Sequence, residues 1–402
     1  MHKLRLPIAA VAGIVCLVAI CAVADPAVSP RVFLLNAAAL EHARSAAQKD
    51  PKAPPIHALR TRADRDLDAP LVSVMDKSET PPSGDRHDYM SLAPYWWPNP
   101  DTPNHLPYIR RDGERNPEYN AITDHRNFGS MANSAKALAT AYYVLGDERY
   151  AVKAAQVLRT WFLDPKTRMN PNLQYAQAVK GRNDGRGTGL IETRGMSDVV
   201  DAIGLLAGSP AWTNADQQGM KDWFTKYLDW LQNSANGKAE AAARNNHGSF
   251  YDTQLASIAL FVGDDALAKS TLETAAHKRI ERQVMPDGEQ PLELARTKSF
   301  SYSVFNLTAL FELARLGEHV GVDLWSYDNG RLRAALDYLL PYATGDKKWT
   351  RTQIEPLNGR SLAPLLLEAA ARYHDPAYRA AAEKLDPHAE DAAMFVEPST
   401  GN

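Results

Sequence analysis

Helical periodicity dominates the chain from about Ser130 onward and is the strongest constraint on its fold. Apolar residues recur at positions i, i+3, i+4 and i+7, which places them on one face of a helix. In the first such segment they are Leu138, Ala141, Tyr142 and Leu145. Gly146 is typical of a left-handed C-cap and Asp147 of the N-cap of a following helix, so the pattern predicts a helical hairpin.

The hairpin signal recurs at intervals of 54 to 62 residues. The second helix of the first hairpin carries Ala151, Ala154, Ala155, Leu158 and Phe162 on one face, and later turn signals lie at 208–210, 263–264, 317–318 and 374–376. Strand-like alternation is sparse. Two helices per interval, with long polar loops at 163–194 and 285–301, predict an all-α fold, an α/α toroid whose loops form a cleft. An open α-solenoid that only binds partners is the alternative.

Residues 51–128 are rich in proline and aromatic residues and poor in periodicity. The run at 89–100 has the sequence Tyr-Met-Ser-Leu-Ala-Pro-Tyr-Trp-Trp-Pro-Asn-Pro. Proline removes a helix hydrogen bond and favours extended backbone, so such a segment must lie on another element to be ordered. We expect it to cross the mouth of the helical body and to line the cleft.

The N-terminus has the pattern of a secretory signal. A basic start with Lys3 and Arg5 precedes an apolar run at 6–23, which ends in small residues. We predict a signal peptide at 1–24 and a single domain at 25–402, with an uncleaved anchor as the alternative. Both cysteines fall inside the signal, so the mature chain has no disulfide or thiolate chemistry. We expect a bacterial protein of the periplasm or the medium, without stable membrane association after cleavage.

Charge and motif content argue against several classes of function. The formal net charge is −3, and the predicted signal contains basic but no acidic residues, so the mature protein is more acidic still. That balance argues against binding to nucleic acid or to an anionic membrane. Histidine and cysteine spacings typical of metal sites are missing from the sequence, so no metal or other cofactor is predicted. The glycine run at 185–189 lacks a preceding strand signal and is interpreted as a flexible loop, and the oligomeric state stays open.

Polar side chains cluster at 244–251, where Asn245, Asn246 and His247 come just before a helical run that starts at Tyr251. Backbone N–H groups and the positive end of the dipole at a helix N-terminus favour an anion. Amide and imidazole donors at that place are suited to a substrate carboxylate. The alternative is that Asn245 caps the helix and His247 is a surface or packing residue.

A second polar stretch, at 286–302, ends with Arg296 and Tyr302. These two residues are six positions apart, too far for one helix face unless the chain bends between them. A loop or a helix start would present both side chains to one pocket. Otherwise Arg296 forms a surface ion pair and Tyr302 lies in the core.

Three motifs carry a family resemblance: Asn-Asn-His at 245–247, Leu-Glu-Leu-Ala-Arg at 292–296 with a tyrosine soon after, and Tyr-Trp-Trp-Pro-Asn-Pro at 95–100. In this combination the sequence resembles the alginate-lyase-like helical polysaccharide lyases, from about Tyr89 to Tyr302. The resemblance implies a fold of helical hairpins and cleavage of an acidic polysaccharide.

The same resemblance implies a role for each matching residue. Asn246 and His247 would neutralise the carboxylate of a uronate, Arg296 would assist, and Tyr302 would transfer protons. The interval from Arg296 to Tyr302 is one residue shorter than in the founding members. Tyr251 therefore stays open as an alternative proton carrier.

The implied reaction is β-elimination from a β-1,4-linked polyuronate, either polymannuronate as in alginate or glucuronan. A hydrogen α to a carboxylate becomes removable only when donors meet the charge that builds on the carboxylate. A tyrosine is a poor base unless cations stabilise its phenolate, and Arg296 and Arg244 are candidates for lowering the pKa of Tyr302. In mannuronate and glucuronate, H5 and O4 lie on the same ring face, so one tyrosine can act as base and then as acid.

Further contacts with substrate are expected from aromatic rings that stack on sugars and from polar or cationic groups that meet carboxylates. These predicted substrate-binding residues are Tyr95, Trp96, Trp97, Arg186, Arg194, Arg244, Asn245 and Tyr251. Packing of the tryptophans in the core and simple solvation of the arginines are the alternatives.

Two other functions stay open beside a metal-independent lyase. One is an inverting glycoside hydrolase on the same toroid, which needs two carboxylates. Its candidates are Glu192, Asp252, Glu289 and Glu293. The other is a periplasmic polysaccharide-binding protein without turnover. A lyase leaves an unsaturated uronate that absorbs ultraviolet light and a hydrolase does not, so the product distinguishes them.

Overall fold

The computed structural model describes residues 29–389. The predicted signal peptide at 1–24 lies outside the described residues. Within 29–389, none of the helices has the length and apolar character needed to cross a membrane.

Helices make up most of the described chain, which confirms the helical prediction. They are α1 Ala37–Lys49, α2 Pro54–Leu67, α3 Asp124–Leu145, α4 Glu148–Leu158, α5 Met196–Leu205, α6 Asn214–Asn233, α7 Ala235–Ala241, α8 Asn246–Val262, α9 Asp265–Ala275, α10 Pro291–Leu294, α11 Ser299–Glu318, α12 Tyr327–Ala343, α13 Ala363–Tyr373 and α14 Pro376–Leu385. The strands are short: β1 Met90–Leu92, β2 Trp96–Trp97, β3 Ile109–Arg110 and β4 Tyr175–Ala178. β1 pairs in parallel with β4, and β2 pairs antiparallel with β3.

Four helices, α3, α5, α8 and α11, pack side by side in that order. Their sequence neighbours α4, α6, α9 and α12 pack against them, and α1 and α2 cover α3. α8 is buried on nearly every side from Gly248 to Phe261, and its buried polar residues, such as Asp252 and Gln254, have hydrogen-bond partners inside the protein. The residues at the start of α8 are thereby held rigidly by the core.

The turn signals were mostly correct. Gly146, Gly263 and His374 end their helices in the left-handed conformation, and the side chains of Asp147, Asp264 and Asp375 cap the next helices. The turn predicted at 317–318 was wrong, because α11 continues to Glu318 and the left-handed glycine is Gly321. Gly317 instead allows the backbone at Val322 to lie close to α11, since a Cβ on Gly317 would overlap the carbonyl oxygen of Val322.

Two predictions about the proline-rich and glycine-rich segments were also wrong. Residues 54–67 form α2, because proline at the first positions of a helix loses no hydrogen bond. The run at 185–189 is no loose loop, since its glycines pack tightly. A Cβ on Gly187 would lie 2.6 Å from the Asn236 carbonyl oxygen, and one on Gly189 would overlap Ala176.

Gly248, in the first turn of α8, is expected to tolerate no side chain. A Cβ there would overlap both the Ala243 carbonyl oxygen and the guanidinium of Arg279. Gly248→Ala is therefore expected to lower the free energy of unfolding by about 3 kcal/mol, through overpacking. The matched control is Gly129→Ala in α3, where a Cβ meets nothing within 4 Å. The control is expected to raise the free energy of unfolding by about 0.5 to 1 kcal/mol. Urea denaturation measures both, and equal effects would contradict the packing argument.

Candidate active site

Asn246 is the first residue of α8 and is held by Glu293 of α10. Its backbone N–H donates to Glu293 Oε1 at 2.7 Å, and its Nδ2 lies 2.9 and 2.8 Å from Oε1 and Oε2. Both residues are 1% exposed. Burial raises the pKa of Glu293, while the hydrogen bonds from Asn246 act in the opposite direction. The amide of Asn246 is therefore fixed in place by a buried carboxylate.

His247, the next residue, is oriented by Glu240 of α7. The ring Nδ1 lies 2.6 Å from Glu240 Oε1, and Glu240 is 1% exposed. On another side, α7 packs closely on Gly187, where a Cβ would lie 3.1 Å from the backbone N of Glu240. The contact at Nδ1 leaves Nε2, which makes no hydrogen bond within residues 29–389, as the nitrogen available to a ligand.

Arg296 is clamped by a carboxylate from the proline-rich segment. Its Nε lies 3.0 Å from Asp112 Oδ2, and its Nη2 lies 2.8 Å from Asp112 Oδ1. Burial opposes ionisation of Asp112, yet the hydrogen bonds and charge of Arg296 lower the pKa of that carboxyl to about 2. The guanidinium carbon also lies 3.8 Å from the centre of the Tyr302 ring. The predicted pairing of Arg296 with Tyr302 is thus present in the structure.

Tyr302 lies in the first turn of α11, and its hydroxyl donates to the hydroxyl of Tyr95 at 2.8 Å. Burial and the bond to Tyr95 raise the pKa of Tyr302 well above its usual value, and Arg296 offsets only part of this. The expectation of a lowered pKa for Tyr302 was therefore wrong. Removal of water from the phenol outweighs the nearby cation, so Tyr302 rests in its protonated form.

The charges of the candidate site interact with one another. Glu293, which binds Asn246, also feels the charges of Arg296 and His247. The bend between α10 and α11 brings Arg296 and Tyr302 together despite their spacing in sequence, because α11 begins only at Ser299. The predicted catalytic residues Asn246, His247, Arg296 and Tyr302 are therefore gathered in one region, with Tyr95 reaching them from the proline-rich segment.

Trp96 and Trp97, which were predicted to stack on sugar rings, lie against arginine side chains. The guanidinium carbons of Arg182 and Arg186 lie 5.0 and 5.6 Å from the centre of the Trp96 ring, and Arg111 lies 5.1 Å from that of Trp97. These are cation–π distances. The tryptophans thus pack against arginines, which differs from the sugar-stacking role expected of them.

Arg186 stands out among the predicted carboxylate-binding residues. It donates to Gln177 through Nε, to the carbonyl oxygen at 3.2 Å, and through Nη2, to Oε1 at 2.8 Å. Burial and the nearby charge of Arg110 lower the pKa of Arg186 to about 10. Gln177 itself has a positive φ of 52°. A guanidinium held beside another cation, by a residue in an uncommon backbone conformation, is suited to a ligand carboxylate.

Of the remaining predicted contacts, Tyr251 is a core residue. It is 5% exposed, its hydroxyl donates to the Leu231 carbonyl oxygen at 3.0 Å, and burial raises its pKa to about 12. That position does not suit substrate contact or proton transfer, so Tyr302 is the tyrosine we retain. Asn245 is the N-cap residue of α8 but makes no side-chain cap bond, and Arg244 is exposed beside it.

The carboxylates required by the hydrolase alternative are occupied by other contacts. Asp252 pairs with Arg279 at 2.6 Å, Glu289 pairs with Arg351 at 2.8 Å, and Glu293 holds Asn246. Glu192 accepts hydrogen bonds from the hydroxyls of Tyr89, Ser91 and Tyr119. Each therefore has a positioning role in this structure.

Sequence reasoning missed Glu240 and Asp112 altogether, and it considered Glu293 only as a hydrolase acid. Glu240 precedes His247 by seven residues, a spacing that puts two residues on one face of a single helix. The chain breaks between α7 and α8, however, so no helical pattern signalled the contact. Asp112 lies 184 residues from Arg296, and no local signal joins them.

Arg194, the other predicted carboxylate ligand, is exposed near Glu312, a half-buried acid on α11. Its guanidinium carbon lies 5.4 Å from the centre of the Phe305 ring. Burial raises the pKa of Glu312 to about 7, against the opposing charges of Arg315, Lys136 and Arg194. Lys136 pairs with Asp198 at 2.6 Å, and the two side chains keep 39% and 32% of their exposure. Water thus reaches this charged group between α3, α5 and α11.

Glu312 is expected to make stability depend on pH. Its folded pKa of about 7 exceeds the unfolded value of 4.5, so the folded state binds the extra proton between these values. The contribution of Glu312 to the free energy of unfolding is therefore most favourable below about pH 4.5, and it is lost as the pH rises through 7. Glu312→Gln is expected to be more stable than the parent by about 1 to 2 kcal/mol at alkaline pH, a figure discounted for residual solvent.

The difference between Glu312→Gln and the parent should shrink as the pH falls toward 5, which urea denaturation at several pH values measures. Glu273→Gln, a substitution of an exposed glutamate on α9, is the matched control and should change little at any pH. A benefit of Glu312→Gln that is the same at all pH values would contradict this assignment.

Comparison with known proteins identifies the class and then the family. The profile of a family described as alginate lyase matches residues 73–349. A crystal structure of an alginate lyase from Bacteroides ovatus is 37% identical, with 92% of this chain and 99% of that chain covered and a TM-score of 0.86. The protein is a polysaccharide lyase. The chain belongs to the alginate lyase family.

More distant solved structures share the fold. Alginate lyase A1-III from Sphingomonas species A1 is 17% identical, with 83% of this chain and 87% of that chain covered and a TM-score of 0.53. A histidine-to-alanine variant of A1-III complexed with tetrasaccharide is 16% identical, with 86% and 93% covered and a TM-score of 0.53. A comparison with curated protein sequences gave no match.

Proposed function

We propose that this protein cleaves a β-1,4-linked polyuronate by β-elimination, with polymannuronate and glucuronan as the candidate substrates. The observation that carries the proposal is the position of Tyr302, whose hydroxyl bonds to Tyr95 while Arg296 lies 3.8 Å from its ring centre. Asn246 is hydrogen-bonded to Glu293, and Glu293 interacts with the charges of both His247 and Arg296. This combination supplies carboxylate ligands and a proton carrier.

The proposed first step is neutralisation of the uronate carboxylate. His247 offers Nε2, and Asn246 is fixed at the helix N-terminus by Glu293. Arg296 uses Nε and Nη2 on Asp112, which leaves Nη1. Donors that are already in place when charge builds on the carboxylate stabilise the enolate-like transition state, and a single one is worth about 3 to 4 kcal/mol.

The proposed second step is transfer of H5 to the oxygen of Tyr302. This step requires the phenolate, which burial disfavours in the resting protein and which Arg296 favours. The C4–O4 bond then breaks, and the phenol returns its proton to the leaving O4 of the sugar. One tyrosine can perform both transfers in mannuronate and glucuronate because H5 and O4 share a ring face, whereas guluronate presents them on opposite faces.

The proposal is tested by incubating the protein with polymannuronate, glucuronan, polyguluronate and hyaluronan while the absorbance of the new double bond is followed. We expect absorbance to rise with polymannuronate or glucuronan and little change with polyguluronate. New reducing ends without ultraviolet absorbance would indicate the hydrolase alternative. Binding without either product would indicate a polysaccharide-binding protein. Either of these two results would contradict the lyase proposal.

Export and architecture are part of the same proposal. We propose that residues 1–24 are removed, that residues 25–402 form one α/α toroid, and that the mature protein acts in the bacterial periplasm or medium. The succession of α3, α5, α8 and α11 supports the toroid, since α4 packs on α3, α6 and α9 pack on α8, and α12 packs on α11. Expression in a bacterium with N-terminal sequencing of the exported protein tests the export claim, and a mature N-terminus at Met1 would contradict it.

A further inference from the structure

A cavity of about 500 Å³ lies between α2, α3 and α4. It is formed by the outer face of these helices and by the chain that follows α2. None of its lining residues belongs to the candidate active site or hydrogen-bonds to it within residues 29–389. Its volume is in the range of small-molecule binding sites.

Cations dominate the lining of this cavity. Arg62, Arg65 and Lys153 line it together with one acidic residue, Asp66. Lys153 Nζ donates to the Ala69 carbonyl oxygen at 2.6 Å, which fixes it at the wall. Arg62 and Arg65 make no hydrogen bond or ion pair within residues 29–389, and both are exposed. Two unpartnered guanidinium groups on one cavity are suited to bidentate binding of carboxylate oxygens.

Hydroxyl and amide groups stand beside these cations. Asn133 and Ser134 line the cavity from α3, and an apolar floor is supplied by Met131. Sugars combine hydroxyl groups with an apolar ring face, so this lining fits a sugar acid better than a simple inorganic anion. We propose that this cavity is a second binding site for a carboxylate-bearing sugar chain, separate from the site of cleavage.

The ligand class rests on the proposed function, because a lyase of polyuronates meets chains that carry a carboxylate on each residue. A long chain bound at both places is held by both at once. Linking two weak contacts raises the overall affinity by about 10²-fold or more when the chain can span the two sites. The second site would therefore favour long polymers over short products.

The test is retardation of the protein in native gels that contain increasing polymannuronate or glucuronan, in the Tyr302→Phe background so that turnover is suppressed. Adding Arg62→Ser and Arg65→Ser is expected to weaken binding of the polymer by at least about 10-fold. Lys52→Ser with Arg60→Ser removes the same charge from the turn before α2 and from α2 itself, outside the cavity lining, and is expected to bind like the parent. Circular dichroism verifies that all variants are folded.

Three outcomes would overturn the second site: equal retardation of the Arg62/Arg65 variant and its parent, equal weakening by the control pair, or displacement by inorganic phosphate but not by a free uronate. Retardation in neutral dextran gels should be small for every variant. Failure of the lyase proposal is seen separately, as missing ultraviolet absorbance with the unsubstituted protein. The two proposals can therefore fail independently.

Discussion

Tyr302→Phe is expected to lower kcat on polyuronate by about 10²- to 10⁴-fold, because the variant lacks the hydroxyl that we propose takes H5 and returns a proton to O4. The change removes one oxygen and keeps the ring that packs under Arg296. Binding of the polymer should change little, so the loss should fall on kcat rather than on KM. Initial rates of double-bond formation measure it.

The pH dependence of the rate adds a second check on Tyr302. Its raised pKa means that the required phenolate is scarce at neutral pH, so kcat of the parent protein should rise as the pH is increased. Tyr251→Phe is the matched control, because that hydroxyl bonds to the Leu231 carbonyl oxygen inside the core. Full activity in Tyr302→Phe, or a larger loss in Tyr251→Phe, would move the proton transfer to another group.

His247→Ala is expected to lower kcat/KM by about 10²- to 10³-fold, through loss of the donor that we propose meets the developing charge on the carboxylate. Glu240→Gln keeps the shape of the partner side chain but removes its charge. Because Glu240 acts through His247, we expect a smaller loss of about 10-fold and a change in the pH profile of kcat/KM.

The double variant separates these two roles. If Glu240 works only by orienting His247, then adding Glu240→Gln to His247→Ala should cost no further activity, as the coupling in a double-mutant cycle shows. Additive losses would contradict a positioning role for Glu240. Unfolding by urea, measured on all three variants, distinguishes these effects from a loss of folded protein.

Much of the fold was predictable because helix signals are local. The apolar spacing at 138–145 and the Gly146-Asp147 turn need only a few neighbouring residues to define a hairpin. The failed turn at Gly317 shows the limit of that reasoning, since a glycine also occurs where backbone from another segment approaches closely. Sequence alone does not distinguish these two uses of glycine.

The residues of the candidate site were predictable only where they belong to a short sequence motif. Asn246, His247, Arg296 and Tyr302 followed from short motifs, and the structure gathers them. Their partners did not follow, because the contact of Tyr302 with Tyr95 spans 207 residues of sequence. The pKa of Tyr302 was also misjudged, since the sequence shows the nearby arginine but not the depth of burial.

The attachment of Tyr95 and Asp112 to α11 and its preceding turn has a consequence for how the protein loses activity. Both residues belong to an irregular stretch between α2 and α3, which is joined to Arg296 and Tyr302 by side-chain contacts. Local opening of such a stretch requires less free energy than melting of the helical core. Enzymatic rate should therefore decline at lower urea concentration than the helical circular dichroism signal, so that turnover itself reports whether this segment is docked.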